Sequence, residues 1–94
     1  MPRHIIEKIR DAIRSGNYDM TSHALDEMAE DELRIIDVEN AVLTGKIIKR
    51  QKDDPRGTKY VIQGICSVQS TYVGVVGRFK ETGVFLIVTV YAIM

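Results

Sequence analysis

The hydrophobic pattern of this chain changes its period once, at Gly45. Before it, apolar residues recur at helical spacing; after it, they alternate as they do along strands. A 94-residue chain of this kind has room for one core, made by laying a helical half on a sheet. Ile5, Ile6, Ile9, Ala12 and Ile13 recur at i, i+1, i+4, i+7 and i+8, which predicts an amphipathic helix stopped by Gly16. Asn17-Tyr18-Asp19 reads as a connection. A second helix starts at Thr21 or Ser22 and runs to about Glu30, with Ala24, Leu25 and Met28 on its inner face. Glu30-Asp31-Glu32 reads as a solvated corner. A third helix covers about Ile35 to Leu43, with Ile35, Val38 and Val42 as its stripe and Gly45 at its C-terminal cap.

Beyond Gly45, Lys46 to Arg50 predicts a short strand, and Asp53-Asp54-Pro55-Arg56-Gly57 has the chemistry of a turn. A second strand centres on Tyr60-Val61-Ile62. A third runs from Tyr72 to Phe79, where Gly74 and Gly77 point to a bulge, curvature or close approach of another element. Lys80-Glu81-Thr82-Gly83 closes a hairpin. Val84 to Ala92 is apolar almost throughout, which predicts a central strand covered on both faces. The expected fold is a single α+β domain over residues 1–94, with three N-terminal helices packed on a four-stranded antiparallel sheet.

Composition removes several function classes. The lone cysteine, Cys66, cannot form an internal disulfide and reads as a small buried hydrophobe. Two histidines and one cysteine give no metal-ligand spacing, so no metal is expected. No Gly-rich phosphate loop follows a strand and no serine–histidine–acid signature occurs, so no cofactor is expected. Met1-Pro2-Arg3-His4 lacks the apolar segment of a signal peptide. The run from Val84 to Met94 is broken by Thr89 and too short to span a bilayer. These features predict a cytoplasmic protein without membrane contact. A net charge of zero hides a segregation: residues 1–45 carry five basic and ten acidic side chains, residues 46–94 eight basic and three acidic. A basic half either contacts nucleic acid or another charged partner, or displays lysines at strand edges against aggregation.

His23 stands in the first turn of the second helix, directly after Thr21-Ser22. The positive end of a helix dipole favours neutral imidazole, and a neutral ring on a rigid helix end can accept a proton. The competing reading is a half-buried histidine that packs the helix against the sheet. His4 reads as solvated.

The order Tyr18-x-x-Thr21-x-His23-Ala24-x-x-x-Met28, then Asp37-Val38, Thr44-Gly45 and Thr89-Val90-Tyr91, resembles domain-of-unknown-function family 4258 over about residues 18–92. More distantly, the layout is similar to RelE and MqsR type toxin ribonucleases. The resemblance implies a compact α+β fold and a toxin-like role beside an antitoxin. Two positions depart from the family pattern. Glu27 stands where an arginine often precedes the methionine, and Asp31-Glu32 where an arginine–glycine pair often precedes the third helix.

Metal-free RNA cleavage needs a base for the 2′-hydroxyl, a cation for the phosphate and an acid for the leaving oxygen. The expected catalytic residues are His23 as base, Arg78 as phosphate ligand and Tyr91 as a hydrogen-bonding group that contacts substrate or orients His23. Lys59, Lys80 and Thr89 are the expected substrate-binding residues. Strand parity sets Tyr72, Gly74, Val76, Arg78 and Lys80 on one face, and Phe85, Ile87, Thr89 and Tyr91 on one face of the next strand. The competing readings are a solvent-facing Arg78 and a structural Thr89 and Tyr91. Too few aromatics read as exposed for a base-stacking platform. Two functions therefore stand side by side: an RNA-cleaving toxin neutralised by an antitoxin, or a non-catalytic interaction module. The module would pair its sheet edge near Lys46 to Lys52 with another chain or, as a homodimer, with itself.

Overall fold

Three helices build one layer. A computed structural model describes residues 4–52, 55–66 and 71–93. Helix α1 (Ile5–Arg14) buries Ile9, Ala12 and Ile13. It ends where Gly16 takes a φ of 74°, a left-handed conformation that glycine adopts without a Cβ penalty. Helix α2 (Ser22–Glu30) is capped by the Thr21 side chain, which accepts from the Ala24 N–H at 3.1 Å. It buries Ala24 and Met28, whereas Leu25, expected inside, is exposed. Helix α3 (Ile35–Thr44) begins where the Asp37 carboxylate accepts the Arg34 N–H at 2.9 Å. Its buried stripe is Val38, Ala41 and Val42, and Ile35 lies outside it. Gly45 follows α3 with φ −87° rather than a left-handed cap. It is small because a Cβ there would meet the Ala41 carbonyl and the Gln63 backbone.

The sheet has five strands, not four, and is not wholly antiparallel. Strands β2 (Lys46–Gln51), β3 (Lys59–Ile65), β4 (Tyr72–Phe79) and β5 (Phe85–Ile93) form the expected antiparallel meander. The fifth, β1 (Tyr18–Met20), lies between α1 and α2 and pairs parallel with β5, giving the order β1-β5-β4-β3-β2. Three residues carry no readable periodicity, and the strand is defined by the edge it joins. Its N-terminal neighbour Asn17 accepts from the Phe85 N–H, and beyond its other end the Thr21 N–H donates to Ile87. Farther along the same edge α2 takes over. Glu27 Oε1 accepts the Val90 N–H at 3.2 Å and Asp31 Oδ2 the Ala92 N–H at 3.0 Å. Asp31 is thus bonded to the sheet while the Glu30-Asp31-Glu32 corner stays exposed, as expected.

The helices cover one face of the sheet. Ile62, Val73, Val75, Phe85, Ile87 and Val90 point into that face and join Ile9, Ala24, Val38 and Val42 in the core. On β5 the inward sequence changes parity. Gly77 pairs with Ile87 but Val76 with Thr89, so Val88 is an extra residue that bulges. Phe85 and Ile87 therefore face the helices while Thr89 and Tyr91 face away, which corrects their assignment to a common face. The face opposite the helices is not covered by any described element, so β5 is central but covered on one side only.

Candidate functional site

The uncovered sheet face meets the start of α2 in a shallow cleft of about 280 Å³, lined by Thr21, His23, Arg56, Lys59, Arg78, Leu86 and Val88. Each side chain arrives by a rule already visible in the backbone. Thr21 caps α2 and its hydroxyl also donates to the Val88 carbonyl at 3.3 Å, which ties the helix start to the β5 bulge. The register that pairs Tyr60 with Gly77 sets Lys59 and Arg78 at neighbouring positions on β3 and β4. Arg78 and Leu86 are paired across β4 and β5.

His23 is largely exposed, its side chain 70% accessible, and its Nε2 lies 3.2 Å from Glu27 Oε1 one turn along α2. That oxygen is fixed in turn by the Val90 N–H. With Nε2 turned toward this carboxylate, Nδ1 is the ring nitrogen left to meet a substrate. Arg78, on the same cleft, has no carboxylate partner among the described residues. The cleft can thus hold an oxyanion against guanidinium with a proton acceptor beside it.

A second, wider hollow of about 750 Å³ adjoins it through Arg56 and Lys59 and is lined also by Lys49, Arg50, Gln51, Lys52 and Pro55. Within it, Arg50 lies over the Tyr60 ring at 6.0 Å. Asp53 and Asp54 of the expected Asp53-to-Gly57 turn lie outside the described residues.

His23, Arg78 and Lys59 are brought together; Lys80, Thr89 and Tyr91 are not at this cleft. Lys80 Nζ is 3.1 Å from Asp19 Oδ2 and belongs to another hollow, with Ile5, Lys8 and Phe79. Thr89 is paired with Val76, beyond the bulge. Tyr91 lies farther down β5, where its ring occupies the space a side chain at Gly74 would need. Sequence reasoning missed Glu27 and Arg56. The i, i+4 spacing of His23 and Glu27 carries the first; a turn residue such as Arg56 has no period to place it. Among the described residues no three histidine, cysteine or acidic side chains cluster as a metal site would require. Among the described residues no helix is long and apolar enough to cross a membrane.

No curated protein and no solved structure matches the chain. A family model described as "Domain of unknown function (DUF4258)" matches residues 20–92. That span takes in the capped α2 with His23, the whole of α3, and the four-stranded meander that carries Lys59 and Arg78. The chain therefore belongs to the DUF4258 family.

Proposed function

We propose that the protein cleaves RNA without a metal, as a toxin-like endoribonuclease of the RelE and MqsR kind, restrained in its host by an antitoxin protein. The observation that carries this reading is His23, 3.2 Å from Glu27, on the same cleft as Arg78 and Lys59. Nδ1 of His23 takes the proton of a 2′-hydroxyl. The freed oxygen attacks the adjacent phosphorus, and the bond to the 5′-oxygen breaks. Arg78 offsets the negative charge that gathers on the phosphate oxygens. Lys59, the cleft's ammonium, supplies a proton to the departing 5′-oxygen. The products are a 2′,3′-cyclic phosphate and a 5′-hydroxyl.

Purified protein incubated with RNA, beside His23→Ala, tests this reading. Wild type is expected to yield cyclic phosphate ends, and the variant to lose about 10²–10⁴ of the rate, the usual contribution of a general base. Absence of cleavage by wild type at high protein concentration overturns it.

The second reading, a non-catalytic interaction module, is favoured by one observation. β2 is an outer strand of the sheet, with no described strand on its far side, and it carries Lys46, Lys49 and Arg50. Such an edge suits an extended, acidic segment of a partner chain.

A further inference from the structure

The sheet face that the helices leave bare carries its residues in ordered rows. One row crosses Lys46, Gln63, Gly74 and Tyr91; the next toward the His23 cleft crosses Lys49, Val61, Val76 and Thr89. Arg78 and Lys59 stand at one end of this face. Tyr72, paired with Ile65 and Ile93, stands at the other, 52% exposed. Tyr91 is the unusual member. Its ring atoms are the nearest neighbours of a Cβ built on Gly74. The ring therefore lies across the glycine, with strand backbone beneath it. Its other face is turned away from the sheet, on the side no helix covers. A flat aromatic ring on a sheet, with a second exposed tyrosine diagonal to it and cations along the same face, is what a stacked nucleobase and its phosphate require.

We propose that this face binds single-stranded RNA, with bases stacked on Tyr91 and Tyr72 and the backbone led toward Arg78. This rests on the RNA reading above and extends it to where the substrate lies. Gly74 and Arg78 are four residues apart on β4, roughly 13 Å at about 3.3 Å per residue. Bases on the tyrosines and a phosphate at Arg78 thus belong to one extended segment. Tyr91 acts here as a binding surface and not at the His23 cleft.

The test uses a fluorescein-labelled, unstructured 2′-O-methyl RNA of about 12 nucleotides, long enough for one binding face. It cannot be cleaved through a 2′-hydroxyl, so binding is read apart from catalysis. Wild type is expected to bind it in preference to the same strand in a duplex, whose base faces are hidden. Tyr91→Ala and Tyr72→Ala are each expected to weaken single-strand binding about five- to a hundredfold, and Tyr91→Phe to keep it. The chain has four tyrosines and no tryptophan, so tyrosine emission should fall in part on binding, and fall less in Tyr91→Ala and Tyr72→Ala. Circular dichroism melts confirm that each variant is folded, and exposed Tyr72 can be replaced without touching the core. Unchanged affinity in both alanine variants, equal binding of the duplex, or no binding by wild type overturns the proposal. Binding without cleavage of ordinary RNA leaves this surface standing and removes the ribonuclease reading.

Discussion

At the scale of single residues, the positions that mark the family are chiefly ones that close the fold. Thr21 caps α2, Asp37 caps α3, and the Thr44 hydroxyl accepts the Ile65 N–H at 3.1 Å. Ala24, Met28 and Val38 are buried. Glu32 is the exception, and it shows what a departure costs. The Leu33 N–H reaches the Met28 carbonyl and the Glu32 N–H the Ala29 carbonyl, the bond pair of a Schellman helix end. Glu32 takes a φ of 56° there, in the left-handed region where glycine is favoured. This is the glycine of the arginine–glycine pair that the family resemblance leads one to expect. Glu32→Gly should therefore stabilise the protein by about 1 kcal/mol, less the entropy glycine adds to the unfolded chain. In a domain of this size a full 1 kcal/mol is worth roughly 4–8 °C, so Tm should rise by a smaller amount, up to about 4 °C, measurable by thermal denaturation. An unchanged or lower Tm would mean that the turn relieves its strain another way.

At the scale of elements, what could be read from the sequence was whatever repeats. The three helices and the meander follow from spacing, because each buries several residues on one face. β1 and the Val88 bulge do not. A three-residue strand and a single inserted residue are fixed by their neighbours on β5 and β4, which lie about 67 residues and about 12 residues away along the chain. Missing the bulge grouped Tyr91 with Phe85 and Ile87, when it shares its face with Gly74 and Arg78 instead. The cleft was half legible for the same reason. His23 and Arg78 sit on regular elements, whereas their meeting depends on how α2 lies along the β5 edge. β1 is tied to the helical layer by the Tyr18 hydroxyl, which donates to Glu39 Oε2 on α3 at 2.7 Å. Burial, then the Glu39 bond and charge, push the Tyr18 hydroxyl up to about 12 from its ordinary 10.0. The folded state thus keeps a proton that the unfolded chain releases. The stability this gives is complete below pH 10.0 and is lost as pH rises toward about 12. Wild type should lose stability relative to Tyr18→Phe across that window, as read from urea midpoints of the pair. Parallel curves would show that Tyr18 ionises equally in both states.

At the scale of the whole molecule, the segregation of charge along the chain becomes a segregation between layers. The acidic first half supplies the helices and short β1, and the basic second half supplies β2 to β5. The two outer positions of the sheet are then unequal. β1 is three residues long and α2 continues its edge through Glu27 and Asp31, whereas β2 is six residues long with its far side open among the described residues. Such an edge invites another strand, and charge decides which. A second copy laid antiparallel along β2 would bring Lys46, Lys49 and Arg50 against the same residues, and like charges across a strand pair are destabilising. An acidic partner meets no such cost. The protein is therefore expected to be a monomer at low ionic strength, at about 0.01 M salt, where exposed charges act over about 30 Å. At about 1 M salt the range falls to about 3 Å and the barrier to self-pairing is screened. Sedimentation velocity at both salt concentrations checks this. A dimer at low salt that dissociates at high salt would show that opposite charges, acidic helices on a neighbour's basic sheet, govern assembly in place of the β2 edge.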